Sequence, residues 1–507
     1  MSRTLRFLGG VWLGYLYQAL VTLVGFWLAP FLLRRIGQHD YGLWLVSLQI
    51  LSYLMLTDFG IVALLPRETA YAIGRAGGVE DAPGLALLIG QAGRVVLYQM
   101  PFVAIASVLL WVFIPAEWRG LQPALAIILG TFAVGFPLRI FRAVLEGLQD
   151  LAFLGRIRIF SWLIGTAATI GLVLLNFGLY ALAIGLAITQ LGSALACLYR
   201  LHSQYPNTLP STLPDLPRGE ILSFLGRGFW ISVAQVAQVL LSGTDILILG
   251  RMLGPSSVVP YSCTGKLANV LANQPQLLMD SAMPGLSEMK VADSRESIFR
   301  VSTALNLGML MLSGAVACVF VTVNKSFVAS WVGPDQYAGF TLSWLIATNM
   351  LLRHWNLTAT YTIFCFGYER QISLTTLIDG AVTVGTSIVL IKFLGLIGAP
   401  LGSMLGVCLV SLPRNLSALA AETGVSIFTL AASLWPWFWR FLIPALAGSV
   451  VVKLWAPHLS VLALIAIAVS LLYVALMLPL AIRSPLWPYA APRINGFFRT
   501  VGIAEIA

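Results

Sequence analysis

The stretch Phe7–Gly37, FLGGVWLGYLYQALVTLVGFWLAPFLLRRIG, returns 217 residues later as Phe224–Gly254, FLGRGFWISVAQVAQVLLSGTDILILGRMLG. In gapless register Phe7-Leu8-Gly9 falls on Phe224-Leu225-Gly226, Gln18 on Gln235, Arg34 on Arg251, and Ile36-Gly37 on Leu253-Gly254. Each copy is an apolar helix with a glutamine inside it and an arginine-then-glycine exit. The glutamine, the arginine and the glycines carry the argument, because apolar residues match one another by chance. The duplication predicts two similar helical lobes.

Working outward from this pair, the whole chain is apolar. Hydrophobic residues make up 59% of the 507 and charged residues 10%, with a mean hydropathy of +0.89; a soluble domain carries about 25% charge. The fold class is therefore an all-α polytopic membrane protein. The first apolar run, 7–33, is too long for a signal-peptide core, lacks a small-x-small cleavage site and is followed at once by a second run, so it reads as a retained span. Cys197, Cys263, Cys318, Cys365 and Cys408 all lie in apolar runs without paired spacing or a histidine cluster. They read as packing residues, with no disulfide, metal or cofactor implied. The net charge of +10 comes from basic residues scattered singly between apolar runs, which marks membrane topology and excludes a nucleic-acid partner.

Runs of about 20 apolar residues, the length that crosses a bilayer, recur near 7–33, 41–65, 92–115, 121–145, 155–177, 179–200, 228–250, 256–285, 299–322, 340–366, 371–394, 396–418, 432–455 and 459–482. These make about fourteen transmembrane helices: two six-helix lobes and two C-terminal helices. An even number places both termini on one side. If that side is cytoplasmic, the outer loops hold only Arg34, Arg35, Arg119, Arg251, Lys325, Lys392 and Lys453, the span interiors hold Lys266 and Arg353, and the other 21 of the 30 Lys and Arg residues lie inside. That asymmetry is the one expected of inner-membrane topology. The four prolines between Pro206 and Arg218 mark a linker. The divisions are thus 1–205 (first lobe), 206–218 (cytoplasmic linker), 219–420 (second lobe) and 421–507 (last two helices and a cytoplasmic tail). Gly402 and Gly406 form a small-xxx-small face on the twelfth span.

A charge at mid-helix costs roughly 2.5–3.5 kcal/mol on insertion scales, so polar residues within the spans should face the bundle interior or a wet cavity. On the seventh span Ser232, Gln235, Gln238, Ser242 and Asp245 follow at steps of three and four, which places them on one face. Lys266, Asn269, Asn273, Gln276 and Asp280 do the same on the eighth, where Pro275 must kink the helix. Asn349, Arg353, Asn356 and Thr360 repeat the pattern on the tenth, and Thr376, Asp379, Thr383 and Thr386 on the eleventh. The first lobe has a thinner set: Tyr15, Gln18 and Thr22, Asp58 low on the second span, and Arg139 with Arg142 toward the inner end of the fourth. A shared cavity lined by Gln18, Gln235, Lys266, Arg353 and Arg139 would be polar and cationic. It would suit an anionic, hydroxyl-rich solute, Arg353 holding phosphate as a fork and Lys266 as a point charge. The opposing reading makes these residues interhelical glue, with Arg353 paired to Asp379 or Asp245. His354 points about 100° from Arg353 on the helix and reads as a packed core histidine.

Ile36-Gly37 followed by Tyr41-Gly42, then Asp58-Phe59-Gly60, Pro66-Arg67 and Leu145-x-Gly147-x-Gln149, resemble the polysaccharide-transport family of lipid-linked oligosaccharide flippases. O-antigen flippases belong to that family, within a superfamily that also holds multidrug antiporters and the peptidoglycan-precursor flippase. The resemblance implies a central cavity opening alternately to each side, lined by the first, second, seventh and eighth spans. It also implies a sugar chain on undecaprenyl pyrophosphate as cargo, with its tail left in membrane lipid, and polysaccharide polymerase or assembly proteins as partners. Arg353 and Asp379 are not supplied by the family motif. A multidrug cation antiporter is the nearest rival. Such a pump needs a buried acid in its first lobe, and Asp58 reads as shallow; Lys266 and Arg353 would repel a cationic drug. A membrane polymerase or ligase would need acids or histidines on a sizeable outer loop, and the outer loops are short. An assembly scaffold is the third reading. If transport is ion-coupled, Asp58, Asp245 and Asp379 are the candidate acids.

Overall fold

The computed structural model describes residues 3–75, 83–210, 212–214, 218–292, 294–454, 459–485 and 487. Residues 211 and 215–217 of the expected linker, the tail from 488, and the Asp280 side chain lie outside the described residues. The helices are α1 (Arg3–Leu54), α2 (Ile61–Arg75), α3 (Pro83–Val112), α4 (Gln122–Gly147), α5 (Leu151–Leu174), α6 (Leu179–Gln204), α7 (Arg218–Ser242), α8 (Thr244–Met252) and α9 (Pro255–Leu271). They continue as α10 (Asn273–Ala292), α11 (Arg295–Trp331), α12 (Phe340–Cys365), α13 (Glu369–Leu394), α14 (Gly398–Gly406), α15 (Leu412–Thr423), α16 (Ile427–Ala432), α17 (Trp435–Leu454) and α18 (Leu459–Ile482). Among the described residues there is no strand. In hydrocarbon every backbone N–H and C=O must be satisfied within the segment, and only helices do so without closing a barrel.

The described residues contain nine helical stretches long and apolar enough to cross a membrane, or ten if the bent pair α7–α8 is one span. The chain is therefore an all-α, multi-pass membrane protein. The fourteen expected runs do not appear as fourteen separate helices. The runs 7–33 and 41–65 share α1, whose 52 residues would extend about 78 Å at 1.5 Å per residue, over twice the hydrocarbon thickness. Gly37, at φ 84 and ψ 165, breaks it. Glu369–Thr423 likewise counts as one stretch of 55 residues, turned at Gly395 (φ 62).

The chain divides into two compact units, Met1–Val259 and Pro260–Ala507. In the first, Leu64, Leu85, Leu121, Leu125, Phe136 and Leu145 are fully buried. Gly42 of α1 packs so closely on Pro255 that a Cβ would lie 2.0 Å from the Pro255 carbonyl oxygen. In the second, Ala317, Cys318 and Phe320 of α11 pack with Trp437 and Phe441 of α17 and Tyr473 of α18. Large apolar side chains such as Phe102, Phe113, Leu464 and Leu471 are exposed, the exterior of a protein whose solvent is lipid.

Backbone geometry repeats at the spacing of the sequence. Gly37 and Gly254, 217 apart, both have positive φ, at 84 and 88. Gly178 before α6 (φ 54, ψ −132) and Gly395 before α14 (φ 62, ψ −137) are also 217 apart. Gly185 meets Thr169, and Gly402, 217 residues further on, accepts a hydrogen bond from Thr386, the counterpart of Thr169. The helix crossings α5–α6 and α13–α14 are thus built on corresponding glycines and threonines.

Candidate functional site

A cavity of about 550 Å³ lies inside the first unit, walled by α1, α2, α4, α5, α6 and α7. Asp58 enters it from a short 3-10 turn, Met55–Asp58, that ends α1 and closes through Phe59 (φ 47) and Gly60 (φ 71). This turn lets Asp58 Oδ1 accept the Gly60 N–H at 2.9 Å while Oδ2 accepts from Arg139 Nη2 of α4 at 3.2 Å. Asp58 is buried among protein atoms, at 1% exposure, and its bond to the Gly60 N–H caps the turn. Proline-interrupted α2 and the left-handed turn tuck it under α3, where Gln99 donates to its carbonyl.

Four residues along α4 from Arg142, Glu146 pairs with it at 3.1 Å. Arg158 of α5 lies over the Tyr17 ring at 4.0 Å, a cation–π contact. Thr189, Gln190 and Ser193 of α6 complete the polar wall. Three arginines against two carboxylates leave the lining one positive charge in excess. Two buried atoms of lining residues, Arg139 Nη1 and Gln235 Oε1, have no protein partner. Each such buried atom carries a desolvation cost of about 1–3 kcal/mol. Arg139 and Gln235 are thus brought together, with Asp58. Gln18 does not line this cavity and is exposed, as is Gln238.

In the second unit Arg353 of α12 is clamped by α13 and α14. Its Nη1 and Nη2 donate to Asp379 Oδ2 and Oδ1 at 2.5 and 3.2 Å, and Nη2 also reaches Thr383 Oγ1 and the carbonyl and hydroxyl of Ser403. Asp379, 1% exposed, accepts further from Thr383 and from Ser411. Ser411 closes a π-helical turn, Val407–Ser411. The Arg353 guanidinium, 20% exposed, offers a neutralised pair and not the free cavity cation expected beside Lys266.

Lys266 of α9 is half-buried and has no ion-pair partner among the described residues. Asn269 and Asn273 are exposed. Asn356 accepts from Asn415 of α15 at 2.9 Å, which joins two helices, and Asn349 Oδ1 is buried without a partner. Asp245 accepts the Ile246 N–H in the first turn of α8, a position where an acid favours the helix. His354 shares a 2.6 Å hydrogen bond with Ser313 of α11 and is buried, as read from sequence. Residues 158, 161, 189, 190 and 193 were not singled out by the sequence reading. Their signal was present: Arg158 and Ser161, and Gln190 and Ser193, recur one turn apart on two adjacent spans. Among the described residues no group of three or more His, Cys, Asp or Glu side chains is placed to hold a metal.

Residues 95–324 match the family model described as "Polysaccharide biosynthesis protein". No curated protein matches the sequence. Among solved structures, the lipid II flippase MurJ in an inward closed conformation superposes with a TM-score of 0.63 at 12% identity, over 94% of this chain and 99% of that one. An inward-facing multidrug resistance MATE family transporter of the MOP superfamily gives 0.54 at 15% identity, over 78% of this chain and 94% of its own. A MOP superfamily transporter from Pyrococcus furiosus gives 0.50 at 16% identity, over 83% and 94%. The chain has the fold that these transporters share.

Proposed function

We propose that this chain is a flippase that moves an undecaprenyl-pyrophosphate-linked oligosaccharide across the bacterial inner membrane by alternating access, for surface polysaccharide synthesis, and that it is not an enzyme. The observation that carries the reading is the first unit's cavity, with Arg139, Arg142 and Arg158 outweighing Asp58 and Glu146, in a fold shared with a lipid II flippase. Guanidinium groups bind phosphate oxygens bidentately, and Gln190, Ser193 and Gln235 exchange hydrogen bonds with sugar hydroxyls. The match of 95–324 to a polysaccharide biosynthesis family supports the cargo class. Lys266, without an ion-pair partner among the described residues, is assigned a phosphate contact along the path, and Gln18, Gln238, Asn269 and Asn273 are further exposed polar positions assigned to it. In this topology α1 and Glu369–Thr423 each cross twice and α7–α8, α9–α10 and α12 once each. That makes fourteen spans, two lobes joined by 206–218, and both termini cytoplasmic.

The cation antiporter is favoured by one observation, the burial of Asp58 in the first unit. Against it, Arg139 already occupies the place of a cation beside that acid. Deletion of the gene should leave the lipid-linked sugar on the cytoplasmic leaflet of spheroplasts, and Lys266→Ala and Gln235→Leu should reproduce the defect at normal protein abundance. A normal leaflet distribution in the deletion, with new sensitivity to cationic drugs, would replace the flippase by the antiporter.

A further inference from the structure

The second unit has an open groove of about 890 Å³ between the start of α13 and α15. Arg370, Leu374 and Ile378 line it at successive turns of α13, and Leu409, Val410 and Arg414 line it from the π turn and α15. The groove is graded along its length. Both arginines are exposed at one end, and no acidic residue is among the lining. At the other end Ile378 is 54% and Leu409 67% exposed, far from the burial that a core position would give them.

The first turn of α13 receives no hydrogen bond from its N-cap side chain, Tyr368, and begins with Glu369, an exposed acid outside the groove lining that offsets the positive end of the helix and leaves the two arginines as the charge of the groove itself. The Tyr368 hydroxyl instead donates to Glu422 at 2.8 Å, which engages the nearby acid. A free phosphate would leave the apolar wall unfilled. A neutral lipid would leave two guanidinium groups without a counter-charge. One occupant satisfies both ends: a molecule with an anionic head group and a hydrocarbon tail.

We propose that this groove seats an anionic phospholipid of the surrounding bilayer, its phosphate held by Arg370 and Arg414 and an acyl chain lying along Leu374, Ile378 and Leu409. Basic pockets between spans recognise lipid head groups in this way. The topology given under the proposed function would place the start of α13 and α15, and so the groove, in the cytoplasmic leaflet; the charge preference does not rest on it. The site is separate from the first-unit cavity, so lipid binding and cargo movement are measured independently.

The test is native mass spectrometry of the delipidated full-length protein, titrated with phosphatidylglycerol or with phosphatidylcholine. Two arginines near the membrane surface should give phosphatidylglycerol a preference of roughly tenfold or more. Arg370→Gln with Arg414→Gln should reduce the preference to about twofold or less, while Arg440→Gln, a half-buried arginine of α17 outside the groove, should keep it at about tenfold. Unchanged thermal unfolding without added lipid would show that the double variant folds. No preference in the unaltered protein, or an equal loss in Arg440→Gln, overturns the site. Displacement of phosphatidylglycerol by millimolar inorganic phosphate would make it a free-anion site. Tighter binding of undecaprenyl phosphate at the same arginines would make it a cargo site; either result overturns the phospholipid assignment. Because nothing is transported in this assay, a failed flippase reading leaves its outcome intact.

Discussion

The Arg353 side chain spends its hydrogen-bonding capacity on Asp379, Thr383 and Ser403, and the balance of charge there decides what a substitution does. Removing one partner of a buried pair leaves an uncompensated ion and costs about 3–5 kcal/mol, whereas replacing both with apolar groups is often neutral. Asp379→Asn should therefore lower the unfolding temperature in detergent and the folded yield, by an amount in that range of about 3–5 kcal/mol. Asp379→Leu with Arg353→Met should recover most of it. If the double variant regains stability but not flipping, the pair acts in transport. If it stays as unstable as the single variant, the ion pair is not what holds α12 to α13. The pair is legible in the sequence as one of two alternatives, because opposite charges near the centres of neighbouring spans lower their joint cost by meeting. The Asp58–Arg139 pair is not legible: its geometry depends on the left-handed Phe59-Gly60 turn, and hydropathy carries no record of backbone handedness.

At the scale of elements, the α13–α14 crossing shows what the small residues do. A Cβ on Gly402 would lie 2.6 Å from the backbone nitrogen of Ser387, and one on Gly398 would lie 2.3 Å from that of Ile391. Backbone atoms cannot move aside as a flexible side chain can. Gly402→Ala should destabilise the protein by about 1–3 kcal/mol through overpacking. Gly385→Ala, on the same α13 with nothing within 4 Å of the added methyl group, should be neutral or stabilising by up to about 1 kcal/mol, the helix-propensity difference. Thermal unfolding of the two variants side by side checks the contrast, and equal effects would refute the close-packing account. The sequence shows this face as Gly402-x-x-x-Gly406, and apolar run lengths locate most spans. Helix continuity is less legible. Whether a span ends or continues, as at Gly37, depends on one residue's dihedral angle and not on hydropathy. The polar stripes of α5 and α6 are short and mixed with alanine and glycine, so they stand out only when the two helices are placed side by side.

For the whole molecule, backbone geometry recurs at 37 and 254, and at 178 and 395, the same 217-residue spacing as the sequence duplication. Alternating access requires that the first-unit cavity be open to one side of the membrane in one state and to the other side in a second. Ser193 lines that cavity on α6, and a thiol there reports which side is open. The background needs Cys408→Ser, since Cys408 is the exposed native cysteine among the described residues. In spheroplasts and in inside-out vesicles, Ser193→Cys should react with a membrane-impermeant thiol reagent from both sides. Lipid-linked sugar should raise one rate and lower the other, because a ligand shifts the equilibrium by its difference in affinity for the two states. A tenfold change in the ratio of rates corresponds to about 1.4 kcal/mol of differential binding. Reaction from one side alone, unchanged by the lipid-linked sugar, would mean that the cavity does not alternate, and the scaffold reading would then account better for a fold with no passage through it.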